Sequence, residues 1–186
     1  MVHKGTVRLE TGRLILRRLT LEDAPAMFRN WARDPRVTKY LSWPPHADVD
    51  VSRAVLGDWE GHYPKEDYYH WGMELKEGGI LIGTIGAVDQ NDNISMVHVG
   101  YCIGYDWWHQ GYTSEALSEL IRFFFEDVGL NRIESCHEPA NVHSGLVMEK
   151  CGLRYEGLLR QTIRKGDQLA DARLYAILKE DFKAGP

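Results

Sequence analysis

Val97-His98-Val99-Gly100-Tyr101-Cys102-Ile103-Gly104-Tyr105-Asp106-Trp107-Trp108-His109-Gln110-Gly111-Tyr112-Thr113-Ser114-Glu115-Ala116-Leu117 is the stretch whose reading decides the fold. Its first nine residues alternate. Val97, Val99, Tyr101, Ile103 and Tyr105 share one face; His98, Gly100, Cys102 and Gly104 share the other. This predicts a strand with one bulky face and one nearly bare face. Residues 106–112 form a short loop. Beyond it, Leu117, Leu120, Ile121, Phe124 and Val128 recur at the spacing of an amphipathic helix. Thr113 or Ser114 is the expected N-cap, Glu115 sits in the first turn, and Gly129 is a natural stop.

A strand feeding a tight loop and a helix start is a place for an anion. The first helical amides have no internal partners, and the helix dipole adds partial positive charge. Gly111 has no Cβ, so a ligand oxygen can come close to the backbone. The bare strand face at Gly100 and Gly104 could let a thin ligand lie along its edge. Neither a P-loop nor a G-x-G-x-x-G fingerprint is present. An ordinary strand–helix connection fits the same residues, and the loop alone does not separate the two readings.

Working outward, the 186 residues suit one domain, 1–186, with residues 1–10 as a loose lead-in. A hydrophobic fraction of 44% is ordinary for a globular chain. The formal net charge of −5 argues against direct nucleic-acid binding as the main task. No apolar run reaches membrane-spanning length, and the opening MVHKGTVRLE lacks a signal-peptide core, so a cytoplasmic location without membrane attachment is expected. Cys102, Cys136 and Cys151 are odd in number and lack C-x-x-C spacing; they read as reduced core thiols, with no metal site.

In chain order, residues 13–19 are strand-like. A helix starts at Thr20 with Asp23 in a variant capping box, and buries Leu21, Ala24, Met27, Phe28 and Trp31. Asp34-Pro35 ends it. The Tyr40-Leu41-Ser42-Trp43-Pro44-Pro45 segment excludes regular structure. There Tyr40 and Trp43 either line a pocket or pack at the surface. A helix follows over 51–62, then strands over 70–76 and 80–88 around Gly78-Gly79. After the central helix come a strand at 132–137, a helix at 141–151, and a hairpin of 153–164 with 169–178. The order is βααβββαβαββ: an α/β (α+β) fold of about seven strands and four helices.

Three segments resemble known motifs. Residues 104–116 are similar to the acetyl-CoA loop of the GNAT acetyltransferase superfamily, Q/R-x-x-G-x-G/A, and to the W-G-x-G-Y-A-T-E-A of its RimJ/RimL-related branch. Trp108 stands at the Gln/Arg place, His109 at the usual Gly, and Thr113 at the usual Ala or Gly. Residues 141–157 resemble N-x-x-S-x-x-V-x-E-K-x-G-F-x-x-E-G, and residues 10–17 resemble E-T-x-R-L-x-L-R. The likeness spans about residues 8 to 182. It implies the GNAT fold, a mixed and mostly antiparallel sheet flanked by helices. In that fold the strands ending at Tyr105 and His137 splay apart and admit the pantetheine arm of acetyl-CoA.

The resemblance implies acetyl-CoA contacts at Ile103, Gly104, Tyr105, Gln110, Gly111, Tyr112, Thr113, Ser114, Asn141 and Ser144. From spacing alone, Asn141 and Ser144 are equally well read as helix caps. His109 is expected to turn its side chain away from the pyrophosphate. Ser144 is a candidate donor to the departing thiolate. Glu138, then His137, are the first candidates for a base, ahead of His98, Asp89 and Glu156. Tyr40 and Trp43 are candidates for the acceptor pocket. The expected activity is N-acetyl transfer to a primary amine by direct attack in a ternary complex, with a protein or peptide N-terminus as acceptor. A small amine or antibiotic as acceptor is the alternative, and a non-catalytic CoA sensor is a different class. Monomer and homodimer both stay open.

Overall fold

The computed structural model describes residues 1–184, with side chains through Phe182. Among these, eight strands form one sheet: β1 (Leu9–Glu10), β2 (Leu14–Arg17), β3 (His70–Leu75), β4 (Leu81–Asn91), β5 (Met96–Ile103), β6 (Arg132–His137), β7 (Arg154–Lys165) and β8 (Gln168–Leu178). Their order is β1-β2-β3-β4-β5-β6-β8-β7, and β5–β6 is the parallel pair. The described helices are α1 (Ala24–Met27), α2 (Pro35–Thr38), α3 (Val49–His62), α4 (Tyr112–Arg122), α5 (Val142–Lys150) and α6 (Lys179–Ala184). The mixed, mostly antiparallel sheet is as expected. The short β1, α2 and α6 raise the expected counts of strands and helices. No described helix is long and apolar enough to cross a membrane.

The first ten residues are not loose. The Val2 amide donates to Val128, and the Thr6 hydroxyl donates to Tyr68 O at 2.8 Å. The indole of fully buried Trp71 donates to Val7 O at 2.6 Å. A buried indole N–H needs an acceptor, and the lead-in supplies it. The helix expected from Thr20 is also uneven. A 3₁₀ turn (Leu21–Asp23) precedes α1, and a wider π-type turn (Phe28–Ala32) follows it. Pro25 lacks the amide a continuous helix would use, so α1 begins around it.

The apolar stripe of α4 does what its period predicts. Leu117, Leu120 and Ile121, with Phe123 and Phe124 beyond them, cover the sheet face built from Leu14, Leu16, Trp71, Ile85, Val97 and Ile133. Leu19, Met27, Trp31 and Leu56 form a second cluster with Leu81. Burying side chains of this size stabilises by roughly 1.5–3 kcal/mol each.

One feature of the sheet positions everything else. β5 and β6 pair only at Met96↔Arg132, Val97↔Ile133 and His98↔Glu134. Past that point β5 stays with β4 as far as Gly83↔Ile103, and β6 stays with β8 as far as His137↔Arg173. The two strands therefore part. A bulge in β4 at Val88 sits level with the parting, where extra twist bends the pair away. The bare face of β5 is filled by protein, not left for a ligand. A Cβ at Gly104 would lie 2.3 Å from Asn30 O, and one at Gly100 would lie 2.8 Å from Val88 Cγ1. At the fork the buried Ser135 hydroxyl donates to Val99 O at 2.7 Å.

Ser135→Ala would leave Val99 O buried without a donor. It should lower stability by about 1–3 kcal/mol, read as a lower urea midpoint at unchanged slope.

Candidate active site

The fork opens into a cleft of about 730 Å3 between the C-terminal half of β5, the start of α4, the length of α5 and the segment after α2. Backbone parity decides which groups face it. Gly104 N–H donates to Ile82 O, so Gly104 and the residues in register with it point at β4. In an antiparallel pair the alternate residues point the other way. The N–H of Ile103 and both backbone groups of Tyr101 are therefore turned toward the gap that β6 has vacated. The Trp108 indole takes Ile103 O at 2.9 Å. Of the expected contact segment 103–105, Ile103 thus has its amide aimed into the cleft, while that of Gly104 is held by the sheet.

At one end lies the start of α4. Gly111 has φ +80°, the left-handed region that a Cβ disfavours. No side chain caps the helix, so the amides of Tyr112, Thr113 and Ser114 face outward as free donors. Neither Thr113 nor Ser114 acts as the N-cap, because Gly111 holds that position. A Cβ on Gly111 would sit 3.5 Å from Arg13 Nη2 and 4.0 Å from Lys150 Nζ. Two cations thus flank three free amides, an arrangement suited to an anion. Gln110 turns its own amide back to Asp106 O and offers only its backbone to this end.

Arg13 and Lys150 were not singled out from sequence. The signal lay in the motifs that carry them. Glu115 accepts from the Arg13 amide at 2.7 Å, from Arg13 Nε at 2.6 Å and from the Thr11 hydroxyl. The Arg13 guanidinium also donates to Gln110 O and lies 4.2 Å over the Tyr112 ring. The opening motif and the loop motif are therefore two halves of one clasp. Burial pulls the Glu115 carboxyl up, but Thr11 and Arg13 together bring it below its usual value.

His109 adopts φ +59°, the left-handed region that favours glycine. Its ring packs edge-on to His143 of α5 at 4.6 Å, across the cleft mouth. Asn141 and Ser144 line the cleft, and the Asn141 side chain makes no capping bond. The Ser144 hydroxyl lies 2.9 Å from the Tyr101 hydroxyl, which also donates to Ser144 O. Burial raises the Tyr101 phenol above its ordinary pKa, against the opposing pull of Ser144, so it stays protonated. Tyr101 also escaped the sequence reading; alternation marked it only as one of the bulky residues of β5.

The remaining candidates lie elsewhere. Tyr40 borders the cleft, and its hydroxyl donates to Ala140 O at 3.3 Å. Trp43 does not line it: its ring lies tilted against His46 at 5.2 Å and packs on the second apolar cluster. His137 is buried, with Nδ1 on Glu138 O at 2.7 Å and its other nitrogen against Gly145. Glu138 pairs with Lys165 at 2.7 Å. His98 and Glu156 are paired with Glu134 and Arg132. Asp89 accepts from the Gln90 amide. Cys102, Cys136 and Cys151 are free thiols.

An anion cradle at one end of a slot, a strand edge along it and two hydroxyls beside it suit a ligand with a phosphorylated head and a thin arm. Residues 13–154 match the family model of the acetyltransferase (GNAT) domain, and the chain belongs to that family. It is an acetyl-CoA-dependent N-acetyltransferase. It is 33% identical over 176 residues to the uncharacterized N-acetyltransferase p20 of Bacillus licheniformis, covering 94% of this chain and 97% of that one. The [ribosomal protein uS5]-alanine N-acetyltransferase of Escherichia coli (strain K12) is 25% identical over 185 residues, covering 96% of this chain and 94% of its own. The crystal structure of a GNAT-family acetyltransferase from Bacillus anthracis superposes with a TM-score of 0.83 at 25% identity, covering 94% of this chain and 99% of that one.

Replacing Gly111 with Leu strains the loop and crowds the cradle. Affinity for CoA, measured by calorimetry, should fall at least about tenfold, or about 1.4 kcal/mol, with the circular dichroism spectrum unchanged.

Proposed function

We propose that the acceptor is a protein or peptide N-terminal α-amine. The observation that carries this is the cleft wall: among the described residues that line it, none is a carboxylate. Glu138 is held by Lys165, and His137 is buried with one nitrogen engaged. The two histidines of the lining, His109 and His143, pack on each other at the mouth, so the acceptor has to lose its proton without a carboxylate base from the protein. An α-amine has a pKa of about 7.7–8, against about 10.4 for lysine. Near pH 7 roughly one α-amine in ten is neutral, and well under one lysine in a hundred. The uS5-alanine acetyltransferase of Escherichia coli, whose name states a protein acceptor, supports the same reading.

Acetyl-CoA supplies the activated acetyl group, which passes directly to the amine in a ternary complex. The chain's own parts have separate tasks in this reading. Gly111 and the amides of Tyr112 to Ser114, with Arg13 and Lys150, hold the pyrophosphate. Tyr101 and Asn141 bind the arm along the gap. The Ile103 amide polarises the acetyl carbonyl as charge develops on its oxygen. Ser144, backed by the protonated Tyr101, donates to the departing thiolate, whose parent thiol has a pKa of about 8.5 by analogy with cysteine.

Ser144→Ala should lower kcat more than it raises KM for acetyl-CoA; a change in KM alone would make Ser144 a binding residue. With an α-amine peptide, kcat/KM should rise with pH along the titration of the free amine. Glu138→Gln should leave that limb in place, and a lost or displaced limb would restore Glu138 as the base. Faster turnover of lysine side chains or of small amines would overturn the choice of acceptor.

A further inference from the structure

The charges of the cleft run against those of the chain. The molecule is acidic, with a formal net charge of −5. Yet the charged side chains lining the cleft are Arg36, Lys39 and Lys150, all cations. Lys150 belongs to the Gly111 end. Arg36 is clamped by Asp34 at 2.6 Å and lies over the Tyr105 ring. Lys39 has no carboxylate within ion-pair distance among the described residues.

Lys39 is also not alone. Its ammonium lies 5.0 Å from the centre of the Tyr40 ring, and that of Lys165 lies 5.6 Å from the same ring. Lys165 stands at the tip of the β7–β8 hairpin. It donates to Lys39 O at 2.7 Å and pairs with Glu138. Tyr40 in turn is tied to Ala140. Two ammonium groups thus approach one ring near the N-terminal end of α5, and one of them, that of Lys165, is paired with the Glu138 carboxylate. Lys150 ends that helix, eight residues on from Val142 or about 12 Å of rise. The second cationic spot is therefore remote from the pyrophosphate cradle, on the far side of the Tyr101–Ser144 pair.

We propose that this spot, formed by Lys39 and Lys165 around Tyr40, binds a side-chain carboxylate of the acceptor, so that the preferred substrates are N-termini with Asp or Glu in the positions just after the reacting amine. This rests on the α-amine reading above and adds the substrate class. The anion supplies the counter-charge that Lys39 lacks. Glu138 holds Lys165 in place and so sets the specificity spot instead of moving a proton. The cations of the cleft draw such a peptide toward the opening.

The test compares three tetrapeptides, Ala-Glu-Gly-Gly, Ala-Gln-Gly-Gly and Ala-Lys-Gly-Gly, with saturating acetyl-CoA, by release of free CoA thiol. The wild type should favour the Glu peptide over the Gln peptide at least tenfold in kcat/KM, mostly through KM, and the ratio should shrink as salt is raised. Lys39 is exposed, so its replacement does not threaten the fold. Lys39→Gln should bring the Glu/Gln ratio to within about threefold, and Lys39→Glu should invert preference toward the Lys peptide, with KM for acetyl-CoA unchanged. Turnover with no preference for Glu, or a preference that survives Lys39→Glu, overturns this inference alone. Absence of thiol release with every peptide, alongside release with small amines, overturns the α-amine reading and the inference with it.

Discussion

The structure depends on the parting of β5 from β6. A sheet normally pairs every backbone group of an interior strand, because an unpaired buried amide or carbonyl is costly. Here pairing stops after His98↔Glu134, although both strands continue. The exposed edge is managed group by group. Ser135 supplies a hydroxyl to Val99 O, and Trp108 supplies an indole to Ile103 O. What is left, on Tyr101 and Ile103, is a short polar edge inside the molecule. The cleft is the form this unfinished pairing takes.

The other requirement is that the helix start beside this edge stay fixed while its amides stay free. A side-chain cap would stabilise α4 but fill the cradle. The chain uses Gly111 as N-cap instead and holds the loop from outside. Glu115 grips Arg13 and Thr11, and Arg13 lies on Tyr112. The clasp joins β2 to α4 across about a hundred residues of chain, and places a guanidinium beside the amides it supports. His109 shows the same economy from the other side. It accepts a left-handed backbone, which costs about 1–2 kcal/mol for a residue with a Cβ, and its ring gains a contact with His143.

Charge divides the cleft along α5. The Lys150 end meets the loop; the Asn141 end meets Tyr40, Lys39 and the hairpin tip. The ion pair of Glu138 with Lys165 ties β6 to the end of β7, and Lys165 is bound in turn to the backbone after α2. Three segments distant in sequence thus close one side of the opening.

The sequence by itself determined the strand, the loop and the helix of residues 97–128. Period two and period 3.6 are local properties, and the glycines at 111 and 129 bracket the helical run. The three motifs also identified the family and the sheet. The sequence did not determine which polar side chains are free. Glu138 reads as an available carboxylate until Lys165, twenty-seven positions later, is brought against it. Trp43 reads as a pocket aromatic until His46 and the second apolar cluster cover it. Tyr101 reads as one more bulky strand residue until α5 sets Ser144 within reach of its hydroxyl. Arg13, Lys39 and Lys150 read as surface charge until the fold turns them toward the cleft. Periodicity reports which face of an element is buried. Which partner meets a given polar atom depends on contacts between elements far apart in the chain, and only the tertiary structure decides those.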